Sequence, residues 1–197
     1  ILGLGSDALR RIPVDAGFRM DTGALEEAIK ADREAGLRPF AIIGTAGTVN
    51  TGAIDPLQRL AEIASDERLW FHVDGAFAAS GQLSERLRDK LSGIERANSL
   101  AFDFHKWLHV NYDAGFVLVR DGELHRRSFS SRPDYLKGTI RGLAAGDPWP
   151  VEYGPELSRG FRALKVWAHI TEFGPSRLGQ AIGMNCQLAD TLAGLVD

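Results

Sequence analysis

The chain has 197 residues, 44% hydrophobic and 25% charged, the make-up of an ordinary soluble globular protein. Its 23 Lys+Arg against 26 Asp+Glu leave a formal charge of −3, which gives no basic footprint for nucleic acid. No apolar run reaches the roughly 20 residues that a bilayer span needs. A single cysteine, Cys186, excludes a disulfide framework and fits a reducing, cytoplasmic compartment.

In chain order, Leu9, Ile12 and Val14 predict a weak strand over Ala8–Val14, interrupted by Arg10-Arg11. Thr22 can cap a helix carrying Leu25, Ala28, Ile29 and Ala35, with Gly36 ending it. The run Phe40–Ile43, led by Pro39 and closed by Gly44, reads as a buried strand. Asp55-Pro56 opens a second helix with Leu57, Leu60, Ala61 and Ala64 on one face and proline in its first turn. Leu69–Val73 predicts a strand ending at Asp74, Leu83–Leu91 a helix, and Ser99–Phe104 and Gly115–Arg120 two more strands. Strands alternating with helices imply an α/β protein with a parallel sheet. Residues 128–158 are rich in proline and glycine without a period, the mark of a functional or mobile loop. A long helix comes next over Ser158–Phe173, broken at Gly174-Pro175, and a last one carries Leu178, Ile182, Leu188, Leu192 and Leu195.

Ligands of open parallel sheets bind beyond the carboxyl ends of the strands. Three predicted strands end in polar groups: Gly44-Thr45-Ala46-Gly47-Thr48, Asp74, and His105-Lys106. Each has a plainer reading. Asp74 also fits a helix cap, Lys106 a solvated surface lysine, and the glycine-threonine stretch a simple turn. Gly3-Leu4-Gly5 lacks the third glycine of a dinucleotide loop, and GTAGT lacks the lysine of a P-loop. A strand-end carboxylate with a strand-end lysine suits pyridoxal phosphate. The amine condenses with the cofactor aldehyde, and the acid keeps the ring nitrogen protonated so that the ring accepts electrons.

Five segments, in order, resemble the group II pyridoxal-dependent decarboxylases. They are Gly44–Thr48 running through Gly52-Ala53-Ile54-Asp55-Pro56, Phe71-His72-Val73-Asp74-Gly75-Ala76-Phe77, Asp103-Phe104-His105-Lys106-Trp107-Leu108, Pro133-Asp134-Tyr135-Leu136-Lys137, and Ser158–Trp167. The resemblance covers essentially the whole chain. It implies the large domain of a fold-type I pyridoxal enzyme, a mostly parallel sheet flanked by helices, over residues 1–158. Residues 159–197 would be a linker helix and the start of a C-terminal small domain.

By the same resemblance Lys106 holds the cofactor as a Schiff base and Asp74 pairs with the ring nitrogen. Ala76 packs on the ring, Thr45 contacts its polar substituent or the substrate carboxylate, and Ser99 and Asp103 lie near the phosphate. His105 sits beside the ring and helps in proton transfer, Tyr112 lies near the substrate, and Tyr135 on the mobile loop delivers a proton to Cα in the neighbouring subunit's site. The implied activity is decarboxylation of an L-amino acid, closest in the Pro133–Lys137 and Phe161–Trp167 segments to enzymes for aromatic substrates, by a homodimer. Alternatives are an aminotransferase, an aldehyde-forming oxidative decarboxylase, or an inactive piece serving only dimer contact.

The departures are specific. Gly75 replaces a commoner alanine, Phe104 a small residue or proline, Gly160 an arginine, and Asp103 the asparagine of some members. An anion at 103 is unfavourable near a phosphate unless it points away or binds a neighbouring donor. The histidine that stacks on the cofactor in this family, and its serine-containing phosphate turn, precede the matched stretch. The expectation is therefore a piece of a longer protein, with Ile1 an interior residue.

Overall fold

The computed structural model describes residues 3–130, 141–142, 146 and 149–196. Its centre is a four-stranded sheet in the order β1 (Ala41–Thr45), β2 (Trp70–Asp74), β3 (Ser99–Asp103) and β4 (Gly115–Val119). The first three strands run parallel and β4 is antiparallel to β3. The predicted α/β class with a mostly parallel sheet is the observed one. β4 reverses because the short connection after β3 is no helical crossover, and only an antiparallel neighbour can succeed such a link.

The strands alternate in burial. Ile42 and Gly44 of β1 and Phe71 and Val73 of β2 face the core, while Ile43, Thr45, His72 and Asp74 face the other side. Helix α1 (Thr22–Glu34) buries Leu25 and Ile29, and α2 (Leu57–Asp66) buries Leu57, Leu60, Ala61, Ile63 and Ala64. Burial of side chains such as Phe71, Leu57, Leu60 and Ile63 contributes roughly 1.5–3 kcal/mol each. At Gly44 an added Cβ would lie 2.8 Å from Leu60 Cδ1, so its missing side chain lets α2 lie close on the strand.

Several elements differ from expectation. Asp21 rather than Thr22 caps α1, its carboxylate accepting from the Gly23 and Ala24 N–H groups. Residues 8–14 form no strand. Ser6–Ala8 is a 3-10 turn, and Val14 makes only an isolated antiparallel bridge to Met20. The arginines at 10 and 11 are exposed, and Pro13 has no N–H for a ladder. The expected helix 83–91 is three short pieces, a 3-10 turn Ala79–Leu83, α3 (Glu85–Arg88) and a 3-10 turn Asp89–Leu91. These bend the chain so that Leu87 and Leu91 both reach the core.

Within the stretch expected to be irregular lie the end of α4 (Gly122–Phe129), capped by Asp121, and a 3-10 turn Pro150–Tyr153. The last span, α5 (Arg162–Val196), is interrupted at Gly174, whose φ of 72° and ψ of 154° are non-helical, beside Pro175. The break expected there is present, and residues 175–196 bury Leu178 and Ile182 against the core. Among the described residues no helix is long and apolar enough to cross a membrane.

Candidate active site

The carboxyl ends of β1, β2 and β3 form one edge, and backbone hydrogen bonds lock their succeeding loops to one another. Ala46 N–H donates to the Asp74 carbonyl at 2.7 Å, and Ala78 N–H donates back to Ala46 at 3.1 Å. Gly75 N–H reaches the Ala101 carbonyl at 2.8 Å, and Asp103 N–H reaches Ala76 at 3.3 Å. Gly47 has a φ of 86°, and a Cβ there would meet Ala78 Cβ at 2.6 Å. Only glycine meets both demands, and that close approach seats the first loop on the second.

Register then brings Thr45 beside Asp74, and Asp74 beside Ala101. Asp74 is exposed, and one of its carboxylate oxygens accepts from Ala76 N–H at 3.1 Å. Among the described residues it has no ion pair. At the end of β3 the Asp103 carboxylate accepts from Lys106 Nζ at 2.8 Å, with both side chains partly shielded. His105 Nε2 lies 3.9 Å from the same carboxylate. Ala114 N–H donates to His105 Nδ1 at 2.9 Å. That bond makes Nδ1 an acceptor and puts the proton of the neutral ring on Nε2, toward Asp103. The Tyr112 ring, 84% exposed, stands edge-on to His105 at 4.6 Å.

Thr45, Asp74, Ala76, Asp103, His105, Lys106 and Tyr112 thus share this edge. Ser99 does not. It stands at the amino end of β3, about 13 Å from Asp103 by strand rise, and its hydroxyl bonds Trp70 Nε1 at 2.8 Å and His72 Nδ1 at 2.7 Å. Tyr135 lies outside the described residues.

Residues given no site role by the sequence support the edge. The buried Asp55 carboxylate accepts from Thr45 N–H and from Met20 N–H, each at 2.7 Å. It ties the end of β1 to the segment before α1. The partners are backbone amides distant in the chain, so no side-chain pattern announces them; the sequence shows Asp55 only as a helix start and near the end of the first resembling segment. Asp113 pairs with Arg162 at 3.1 Å, joining the loop after β3 to the start of α5. The Arg162 guanidinium holds the Asp113 carboxyl below its ordinary value. Burial pushes the His72 imidazole below its usual value, against the opposing pull of Asp74. Among the described residues no group of three or more His, Cys, Asp or Glu could hold a metal ion.

All 197 residues match the family described as the pyridoxal-dependent decarboxylase conserved domain. An aromatic-L-amino-acid decarboxylase of Bacillus atrophaeus is 42% identical over 190 residues, 96% of this chain and 39% of the relative. A phenylacetaldehyde synthase of a Rosa hybrid cultivar is 34% identical, across 100% of this chain and 39% of its own. A histidine decarboxylase of Drosophila melanogaster is 37% identical across 98% of this chain and 22% of its own. The crystal structure of Oryza sativa TDC with PLP and tryptamine superposes with a TM-score of 0.82 at 31% identity, covering 90% of this chain and 36% of that one. The chain therefore spans about two-fifths of the length, or less, of these three relatives.

Proposed function

The chain belongs to the pyridoxal-dependent decarboxylase family, and from that premise we propose that its protein removes the carboxylate of an aromatic L-amino acid as CO2, leaving the amine. The observation that carries this reading is the placing of the Lys106 amine and the Asp74 carboxylate on one sheet edge. The substrate class is supported by the 42% identity to the Bacillus aromatic-L-amino-acid decarboxylase.

The donor set fits pyridoxal phosphate. A primary amine is present to hold it, an exposed carboxylate free of any described ion pair can meet a cationic ring nitrogen, and the second carboxylate already has a cation in Lys106. The concern that an anion at 103 would repel a phosphate is eased by that bond. When bound, the cofactor supplies an aldehyde that captures amines and a ring that accepts the electron pair of the breaking Cα–carboxylate bond.

The rest falls to the chain. Lys106 Nζ would hold the cofactor, and Asp103 would balance the charge of the amine whenever it is free. Asp74 keeps the proton on the ring nitrogen. Ala76, two residues beyond Asp74, would pack on the ring, and Thr45 would orient its polar substituent or the substrate carboxylate. His105 keeps its Nε2 proton toward the Asp103 carboxylate that Lys106 also meets and would help in proton transfer, and Tyr112 would border the substrate. Tyr135 returns a proton to Cα.

In this reading residues 1–158 belong to the large domain and 159–197 begin the small one. The protein works as a homodimer in the cytoplasm, supported by exposed Phe161 just before α5 and Trp167 on it, and by the unpaired Cys186. A second reading, oxidative release of an aldehyde, is supported by the Rosa synthase.

One experiment separates them: full-length protein with pyridoxal phosphate is given an amino-acid panel, and CO2, amine, aldehyde and ammonia are quantified. Amine and CO2 in equal amounts from aromatic substrates are expected, and no activity in Lys106→Ala, which also loses the visible band of the lysine-bound cofactor. Aldehyde with ammonia replaces the first reading by the second. A Lys106→Ala protein that keeps the band overturns both.

A further inference from the structure

Of the five resembling segments, Ser158–Trp167 alone supplies no proposed site residue, yet a row of contacts leads from its Arg162 into the site. Arg162, the first residue of α5, places Nε 3.1 Å from the Asp113 carboxylate. The same guanidinium reaches Glu156 through Nη1 at 3.2 Å. Asp113 precedes Ala114, whose N–H donates to His105 Nδ1 at 2.9 Å. His105 in turn directly precedes Lys106.

An N–H points where its peptide plane points, and the plane is steered from both of its ends. The amide that faces His105 joins Asp113 to Ala114. On the Ala114 side the sheet does the steering: Phe104 N–H donates to the Ala114 carbonyl at 3.0 Å, and β4 begins at Gly115, across from Asp103. On the Asp113 side the chain is still a loop, and there the Arg162 guanidinium grips the side chain. The neighbouring Tyr112 ring touches His105 edge-on but is 84% exposed, so it restrains the imidazole little.

The bond to Nδ1 has a chemical consequence. A cationic imidazole carries a proton on each nitrogen and accepts none. While Ala114 donates, the ring is neutral and its one proton sits on Nε2, 3.9 Å from the Asp103 carboxylate that Lys106 Nζ meets at 2.8 Å. A peptide turned away would free Nδ1 to carry the proton, and the two tautomers would then compete.

We propose that Arg162 is a positioning residue for His105: by holding the Asp113 carboxylate it aims the Ala114 N–H at Nδ1 and keeps the ring proton on Nε2, the nitrogen that faces Asp103. The proposal rests on the reading of Lys106 and His105 as parts of a pyridoxal phosphate site in which His105 helps in proton transfer. It makes the first turn of α5 a support of that site.

The test begins on full-length, cofactor-free protein labelled with ¹⁵N-histidine, with the His105 signals assigned by their loss in His105→Gln. At neutral pH two-bond ¹H–¹⁵N spectra should show Nδ1 unprotonated and Nε2 protonated. Arg162→Gln and Asp113→Asn should each shift His105 toward a mixture of tautomers, and Arg162→Lys, which keeps a cation, should hold most of it in the wild-type form. With cofactor and substrate, kcat for amine release should fall about threefold in Arg162→Gln and in Asp113→Asn, the size that a partly solvated ion pair can set, with KM unchanged. A pair that only stabilised the fold would lower the urea midpoint and leave the tautomer where it was.

A wild-type His105 protonated on Nδ1 overturns the proposal, as does a tautomer unmoved in both Arg162→Gln and Asp113→Asn. A shifted tautomer with unchanged kcat in both variants overturns the part given to His105 in proton transfer, and the proposal with it. Because the tautomer is read without cofactor, a wild type that forms no visible band with pyridoxal phosphate overturns the reading of the site and is told apart from a failed link between Arg162 and His105.

Discussion

Asp74 and Asp103 end adjacent parallel strands of the same sheet, yet the structure treats their charges in opposite ways. Asp103 is bonded at 2.8 Å to the amine of Lys106, three residues on. Asp74 receives one backbone N–H from Ala76 and no cation among the described residues. The difference lies in the loop that each strand runs into. After β2 the chain continues as Gly75-Ala76-Phe77-Ala78, whose small residues pack between the loops and carry no charge. After β3 it continues as Phe104-His105-Lys106, which folds back so that the Lys106 N–H meets the Asp103 carbonyl and the amine meets its carboxylate. A carboxylate left uncompensated at a strand end is a binding group in waiting; a compensated one is local support.

Substitution should expose that asymmetry, the largest effect coming from Asp74→Asn. It removes one partner of the proposed ion pair with the ring nitrogen, a loss on the order of 3–5 kcal/mol where the pair is shielded from water. Turnover should fall by roughly 100-fold or more, measured as amine release under saturating cofactor, with the urea midpoint unchanged. A retained rate would make Asp74 a structural carboxylate and erase the contrast.

Next comes Asp55→Ala, which acts on the scaffold beneath the edge. Its buried carboxylate serves two backbone N–H groups, of Thr45 and Met20. Leaving both unsatisfied should cost about 2–4 kcal/mol, read as a drop in the urea midpoint. Asp55→Asn, which keeps one carbonyl acceptor, should recover part of it. A midpoint unmoved by Asp55→Ala would mean that the edge is held by the sheet alone.

Asp55 also marks where sequence reading stops. Strands β1 to β3 were legible because their apolar runs are bounded by glycine or by charge, and Asp74 and Lys106 because each sits directly at a strand end. The buried clamp was not, since its donors are main-chain amides brought together only by the fold. The resemblance places Ser99 near the phosphate, whereas the register sets it beside His72 at the far end of β3 from Asp103. Residues 8–14 have strand-like composition, but a strand is made by a partner, and there the described structure offers only the Val14–Met20 bridge. Helix α4 was missed although Asp121, whose carboxylate accepts from Leu124 N–H at 2.8 Å, is a readable cap. The glycine- and proline-rich stretch beyond it masked that signal.

Asp103→Asn should have a much smaller effect than Asp74→Asn. Its ion pair with Lys106 is partly solvated, and such pairs are worth about 0.2–1 kcal/mol. The amide keeps an acceptor for Nζ, so turnover should change by less than about tenfold. If Asp103→Asn proved as damaging as Asp74→Asn, the two carboxylates would be equal partners in the chemistry. If it raised cofactor affinity, the anion at 103 would oppose the phosphate despite its bond to Lys106.

The smallest effect concerns a third carboxylate, Asp113, which shows what a compensated strand-loop acid does as pH changes. Arg162 holds its carboxyl below the ordinary value of 3.8. A depressed carboxyl contributes stability that is fully present above the unfolded value and lost as pH falls through the folded one. Wild type should therefore be more stable than Asp113→Asn near neutral pH, because the charged partner of Arg162 is present only there. The two unfolding midpoints should converge as acid protonates Asp113 and leaves a neutral group in both proteins. Because the pair is solvent-exposed, added salt should shrink the neutral-pH difference as well. Midpoints that stay apart in acid would assign the bond between the β3–β4 loop and α5 to packing, and would leave Asp103 as the only charge-compensated acid at the edge among the described residues.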